Sequence, residues 1–295
     1  AQAYEQAGGR YYPKFQVAVP FSPVTGPRLL IDPSQPEPET LAHAMAEALA
    51  QACDELGLSS IHATFCTATD QQRLVEAGWL ARYGLQYQWH NRDYRDFEDF
   101  LSALSSRKRK TLRRERRDAQ SCGLTFHTKQ GHDITDADWR AFYRFYQSTV
   151  DRKWGNAYLT ERFFPLLAAR LGPQVVLMTA EHDGTPVAAA LNIMGGGVLY
   201  GRNWGCEGQW PFLHFELCYY RAIEFAIAQG LTRVEAGAQG EHKIQRGYLP
   251  VLTRSAHHLR DPALRKAVAN FLVSEHAAIM AEKNALETFS PYRDA

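Results

Sequence analysis

Long apolar runs are missing from this 295-residue chain. A bilayer span needs about 18 or more consecutive apolar residues. The longest candidate, Pro186 to Gly201, is broken by Asn192 and by Gly195, Gly196 and Gly197, so the sequence predicts no membrane-crossing segment. Cysteine is scarce and scattered: Cys53, Cys66, Cys122, Cys206 and Cys218 form no CxxC pair and have no histidine at zinc spacing. That excludes a disulfide framework and a zinc finger, predicts no metal site, and fits reduced thiols in a cytoplasmic protein. Excess charge is also lacking, with 33 basic against 32 acidic residues, so nucleic-acid binding would have to come from a local patch. The opening AQAYEQAGGRYYPKFQ has no basic n-region and no apolar h-region. It does not read as a signal peptide, and the absence of an initial Met leads us to expect further residues upstream.

What is present is globular: 45% hydrophobic and 12% aromatic residues, which excludes a disordered chain, a collagen-like fibre and a coiled coil. The length suits two domains of roughly 150 residues. Strands are expected at Phe15 to Pro20, Ser60 to Cys66 and Trp79 to His90, with a helix from Glu39 to Gly57 and another capped by Asp70. The stripe Phe97, Phe100, Leu101 and Leu104 opens a helix that runs on to Gly123. A strand from Leu124 to Lys129 precedes two amphipathic helices, the first capped at Thr135 or Asp136 and the second over Thr160 to Leu171. Asp183-Gly184 marks a hairpin between Val175–Glu181 and Val187–Met194. A strand over Val198 to Trp204, a buried helix over Phe212 to Gln229, strands at Arg233–Ala238 and Leu252–Leu259 and a final helix over Pro262 to Leu286 complete the reading. The order strand, helix, strand, helix, strand thus occurs twice.

Three strings carry chemistry. EAGAQGEHKIQRGYLP, Glu235 to Pro250, leaves a strand and sets Gly237, Gly240 and Gly247 among Gln239, Glu241, His242, Lys243, Arg246 and Tyr248. Glycines at the carboxyl edge of a sheet allow close approach to a ligand. Here they accompany a candidate general base, His242 or Glu241, anion-holding Lys243 and Arg246, and a proton donor, Tyr248. Backbone amides around Gly237 to Gly240 are placed to polarise a carbonyl. The alternative is a capped turn with solvated charges. GCEGQWPFLHFEL, Gly205 to Leu217, puts His214 and Glu216 in the first turn of the buried helix, a second choice for the base, with Trp204 and Trp210 flanking; a phosphate-bearing donor would sit at such a helix start. The third string holds Arg107, Lys108, Arg109, Lys110, Arg113, Arg114, Arg116 and Arg117 against one Glu115. Wound on a helix, these cations are expected to point all round, either binding tRNA or an anionic membrane surface or forming a solvated helix complemented by the acidic residues 93–99. Lys153-Trp154-Gly155, in a loop between helices, is a candidate lid.

LSSRKRKTLRRER, LHFELCYYRAIEFAIAQGL and EAGAQGEHKIQRGYLP, with YYPKFQVAVPFSPVTGPRLL near the start, resemble the FemAB-like "peptidoglycan biosynthesis/recognition" proteins of bacteria over nearly the whole chain. The resemblance implies an α/β (α+β) fold of tandem GNAT-like acyltransferase domains, with mixed central sheets flanked by helices. The expected division is a partial N-terminal domain over 1–94, lacking its opening strands, a basic connecting helix over 95–123, and a C-terminal domain over 124–295. The wider superfamily moves an acyl group from a thioester or an aminoacyl-tRNA to an amine, and in Fem transferases a basic helical segment accompanies aminoacyl-tRNA use. The acetyl-CoA loop of ordinary GNAT enzymes, Gln/Arg-x-x-Gly-x-Gly/Ala, is absent before Phe212, where Gly205-Cys206-Glu207-Gly208 stands instead. The expectation is an N-acyltransferase of envelope metabolism using an acyl-CoA co-substrate, no bound cofactor and an amine-bearing lipid or peptidoglycan precursor. Aminoacyl-tRNA as donor, or a non-catalytic module that binds envelope precursors, are the alternatives. Its expected location is cytoplasmic, extending to the inner membrane face.

Overall fold

The computed structural model describes residues 2–6, 8–152, 155–237 and 240–293. Contacts gather the chain into two compact units, residues 1–85 with 251–285 and residues 86–250 with 286–295. The first contains a one-turn helix Gln2–Gln6 (α1), strand Phe15–Val17 (β1), helix Pro38–Glu55 (α2), strand Ser60–Thr64 (β2), helix Ala68–Glu76 (α3) and the start of strand Leu80–His90 (β3). The second takes the end of β3, helices Phe97–Ser102 (α4) and Ser106–Gln120 (α5), strand Leu124–Gln130 (β4), and helices Asp136–Arg152 (α6) and Phe163–Leu171 (α7). Strands Val175–His182 (β5), Thr185–Gly195 (β6) and Val198–Cys206 (β7), a helix over 213–228 (α8) and strand Arg233–Glu235 (β8) follow. Strand Leu249–Leu259 (β9) and helix Pro262–Glu287 (α9) return to the first unit.

The contact units are therefore discontinuous in sequence, whereas the sequence reading divides the chain at 94 and 123. β9 pairs antiparallel with β2, Ser60 opposite Leu259, and α9 binds the first unit through Glu275 to Arg82 at 2.7 Å and His276 stacked on Tyr83. The first unit orders its strands β1-β2-β9-β3. α2 and α3 cover them with Ala42, Ala46, Cys53 and Leu74, packed against Ile61 and Trp79. Thr67, not Asp70, caps α3, its hydroxyl accepting the Asp70 N–H at 3.0 Å. Asp70 is buried instead and accepts the Arg28 N–H.

The second unit orders its strands β3-β8-β7-β6-β5-β4, antiparallel except for β7 beside β8. The expected hairpin forms, with Asp183 and Gly184 both at positive φ, +48° and +72°, as its two-residue turn requires. Thr135 caps α6 in a reciprocal pair with Asp138. α6 and α7 bury Phe142, Phe145 and Phe164 against Val175 and Leu177. Gly205 lets β7 lie against α6, since a Cβ there would strike the Phe145 carbonyl. Two helices differ from expectation. The single helix expected from Phe97 onward breaks between α4 and α5, where Ser105 and Arg293 amides bond across to the Pro291 and Ala103 carbonyls. α8 carries a π-turn over Glu216–Tyr220, a feature that often accompanies functional sites. No helix among the described residues is long and apolar enough to cross a membrane.

Candidate active site

Parallel pairing between β7 and β8 lasts only three residues, Val198 with Arg233, Leu199 with Val234 and Tyr200 with Glu235. Beyond Tyr200, β7 continues to Cys206 alongside β6 alone, while Ala236 and Gly237 bond back to Tyr87 of β3. The two strands part, and a cavity of about 650 Å³ opens between residues 201–204 and Ala236, Gly240, His242 and Lys243. Its position at the carboxyl ends of parallel strands is where α/β sheets generally receive ligands.

The structure brings five of the expected residues to this cavity: Trp204, His214, Gly240, His242 and Lys243. His242 rises from a 3-10 turn, Glu241–Arg246, that follows Gly240 at φ +101°. A Cβ on residue 240 would run into the His242 ring, so glycine lets the imidazole fold over the backbone. His242 Nε2 lies 3.1 Å from the Tyr219 hydroxyl. Burial, reinforced by the Arg246 and Lys243 cations, lowers the His242 pKa, leaving a neutral imidazole at pH 7. Lys243 is itself buried, its ammonium donating to the Ala236 and Gly237 carbonyls, and burial brings its pKa down to about 8. His214 packs against Trp204 and Tyr219, with ring centroids 5.1 and 5.3 Å apart.

Other expected residues lie elsewhere. Glu216 is fully buried and ringed by Arg116 at 3.1 Å, Arg221 at 3.2 Å and Gln120 at 3.3 Å; its oxygens bind cations rather than face the cavity. Tyr248 is fully buried and donates to the Tyr219 carbonyl. Arg246 sits outside the cavity, its guanidinium 3.4 Å from the Phe215 ring centroid. It donates to the His242 carbonyl at 2.7 Å and grips Glu115 with two 2.8 Å bonds. Arg246 therefore holds the His242 turn in place. Trp210 lines a neighbouring depression that shares Trp204 and His214 with the cavity. The Gly237 carbonyl is taken by Lys243 and by the Tyr87 amide. Gln239, the Glu241 side chain, Lys153 and Trp154 lie outside the described residues.

The basic segment forms most of α5, and its cations do not point all round. Leu112, Glu115 and Ala119 make a buried face. Beside it, Lys108 bonds to Gln245, and Arg116 joins Glu216 to Glu224. Arg109 is half-buried, while Arg107, Lys110, Arg113, Arg114 and Arg117 are exposed. At 3.6 residues per turn these five fall within an arc of roughly 120°. Arg113 pairs with Glu98 and Arg117 with Asp118. Among the described residues no carboxylate lies within ion-pair distance of Arg107, Lys110 or Arg114.

Sequence reasoning passed over Glu115 as a link to the site, and over Asn192, Arg202 and Asn203 in the cavity wall. The polar pair Arg202-Asn203 inside the apolar run VLYGRNWG was the signal available.

Comparison with known structures places the chain beside several solved proteins. L-PGS from Bacillus licheniformis is 13% identical, with a TM-score of 0.57 and 78% of each chain covered. The C-terminal domain of a protein assigned as lysylphosphatidylglycerol synthetase from Agrobacterium fabrum is 13% identical, with a TM-score of 0.56 over 80% of this chain and 76% of that one. FemX is 11% identical, with a TM-score of 0.56 and 85% of each chain covered. At these identities the likeness is one of fold, and the fold is α/β, with mixed strand pairing flanked by helices. The comparison with curated proteins gives no match. The FemAB-like family, described as peptidoglycan biosynthesis/recognition, matches residues 1–294, and the chain belongs to that family.

Proposed function

We propose that this protein is an aminoacyltransferase of envelope biosynthesis, moving an aminoacyl group from the ribose ester of a tRNA to an amine. The observation that carries the reading is the exposed cationic face of α5, whose buried face is bonded through Glu115 and Arg246 to the turn bearing His242. Exposed Lys and Arg aligned on one face suit a phosphate backbone, and the helix that would dock the donor is tied to the candidate base.

The acceptor amine enters as an ammonium and must lose a proton before it can attack. Neutral His242 takes that proton, the C–N bond forms, and the tetrahedral oxyanion develops near the Lys243 ammonium. The ester C–O bond then breaks, the ribose oxygen leaves with the second proton of the amine, and His242 returns the first to solvent. The family and the structural neighbours support a transferase of envelope biosynthesis.

The acyl-CoA donor expected from the sequence finds less support. Leu213 and Phe215 at the start of α8 already donate their amides to the Trp210 and Phe212 carbonyls. A pyrophosphate seated there would find those donors occupied. The test is transfer of a radiolabelled aminoacyl group from charged tRNA to an amine by the full-length protein, with His242→Ala about a hundredfold or more slower. Transfer from acetyl-CoA or palmitoyl-CoA with none from charged tRNA would overturn the donor, and unchanged turnover in His242→Ala would overturn the base.

A further inference from the structure

At the edge of the sheet in the first unit, β1 leads into a turn whose residues do not suit it. The Ser22 amide donates to the Val19 carbonyl at 3.2 Å, with Pro20 and Phe21 between them. Phe21 stands at φ +53°, a conformation that glycine or asparagine takes readily and a bulky side chain takes only under strain. Its side chain gains little burial in return, for Phe21 is 64% exposed and Val19 is 53% exposed. The segment is nonetheless firmly held. Buried Arg28 donates to the Val24 carbonyl at 2.8 Å, the Pro27 carbonyl at 3.0 Å and the Thr64 carbonyl of β2 at 2.7 Å. The Gly26 amide reaches the Phe65 carbonyl at 3.1 Å. A braced turn thus presents an aromatic ring outward, at a position where folding alone would favour Gly or Asn.

Its surroundings are apolar and cationic. The groove beside the turn is lined by Ala18, Val19, Pro20, Phe21, Pro23 and Phe65, with Gln16, Ser22 and Thr64 as its polar residues. Lys14 faces His62, which stands two residues before Thr64 on β2 and so shares its face of the sheet. The Lys14 ammonium also lies 4.9 Å and 5.4 Å from the ring centroids of Tyr11 and Tyr12. Between Glu5 and Asp32 the chain carries Arg10, Lys14 and Arg28 and no aspartate or glutamate. Among the described residues no carboxylate lies within ion-pair distance of Arg10 or Lys14. An apolar tip flanked by tyrosines and long cationic side chains matches the bilayer interface, where rings sit at headgroup level and cations snorkel to phosphate. The lack of carboxylates suits anionic headgroups, and a braced turn loses little freedom on insertion.

We infer that the Val19–Ser22 turn is a membrane-contact site. Val19 and Phe21 enter the boundary between headgroups and acyl chains of an anionic bilayer, and Arg10 and Lys14 add attraction to its phosphates. This assigns to the first unit a contact that the sequence reading offered to the basic helix. It is independent of the transfer reading, since a chain without transferase activity would still bind.

Co-sedimentation of the full-length protein with vesicles tests it, using phosphatidylcholine alone and phosphatidylcholine mixed equally with phosphatidylglycerol. Binding to the anionic vesicles should be about tenfold or more tighter than to the neutral ones. Phe21→Asn should weaken anionic binding by about tenfold or more, as loss of a buried aromatic side chain predicts. Asparagine suits the positive φ, so a thermal melt of this variant should match wild type. Val19→Ser should weaken binding in the same direction, Phe21→Trp should retain it, and Arg10→Gln with Lys14→Gln should narrow the preference for anionic vesicles. No binding to either vesicle, or binding unchanged by both Phe21→Asn and Val19→Ser, would overturn the site. So would a wild-type dimer in analytical ultracentrifugation that Phe21→Asn dissociates, because a second copy of the chain would then cover the turn.

Discussion

Glu115→Gln isolates the connection between the basic helix and the candidate base. Glu115 and Arg246 are each 7% exposed, joined by two 2.8 Å bonds, and Tyr220 also donates to the same carboxylate. Neutralising Glu115 leaves a buried guanidinium without its counter-charge. Breaking a buried pair from one side typically costs about 3–5 kcal/mol, and for a unit of this size that lowers Tm by roughly 6–20 °C. The double variant Glu115→Leu with Arg246→Met removes both charges and should recover most of the lost stability. It should not recover transfer, because the Arg246 bond to the His242 carbonyl is gone as well. Calorimetry paired with the aminoacyl-transfer assay separates the two effects. A single variant within about 1 kcal/mol of wild type, or a double variant with full turnover, would refute the reasoning.

The triple variant Arg107→Gln, Lys110→Gln and Arg114→Gln removes exposed cations without touching the core. Stability should stay within about 0.5 kcal/mol, while filter binding of tRNA should weaken and the slope of log K against log salt should fall by up to about 1 per residue. The pH profile of transfer should have two limbs. The acid limb lies below the ordinary histidine value of about 6.5, because His242 must be neutral and its pKa is lowered. The alkaline limb lies near pH 8, where Lys243 loses its proton, and Lys243→Met should remove it. In the first unit, His62 and His257 share a 2.7 Å Nδ1–Nδ1 hydrogen bond, facing Lys14 and Arg82. Burial brings their pKa values down to about 4 and about 3. The unfolded chain therefore binds more protons below pH 6.5, and the stability of this unit is full above that value and lost as pH falls through the folded-state values. Denaturant melts between pH 7 and 4 should show the loss, and His257→Gln should flatten it; a flat wild-type curve would count against the buried pair.

Local chemistry made much of this fold legible. Asp183-Gly184 demanded a two-residue hairpin, Thr135 had a carboxylate three residues on to cap with, and the apolar run before Gly230 could only be a buried helix. The EHKIQR turn at the end of a strand pointed to the cavity, and His242 and Lys243 reach it. What could not be read depends on register and on distant partners. Eight cations in the 107–117 segment hide the three residues, Leu112, Glu115 and Ala119, that decide which side of α5 is buried. The bulge at Arg202 exists only in the pairing of β7 with β6. The return of β9 to β2 joins residues about two hundred positions apart, beyond the reach of any local periodicity.

The buried charges around α5 ask for a reason of their own. Glu115 with Arg246, and Glu216 with Arg116 and Arg221, fix this helix to α8 and to the 241–246 turn. Apolar residues of similar volume would hold the same elements together about as firmly, because desolvation consumes most of what a buried ion pair gains. Apolar contacts, however, have no direction. Arg246 has several N–H groups at fixed angles: two contacts engage Glu115, one reaches the Tyr220 hydroxyl at 3.1 Å, and one reaches the His242 carbonyl. A shift of α5 by half an ångström would break more than one of them together. The ionic seam thus holds the cationic face and the His242 turn in one register, which is what the proposed transfer from a donor docked on α5 to an acceptor in the cavity requires.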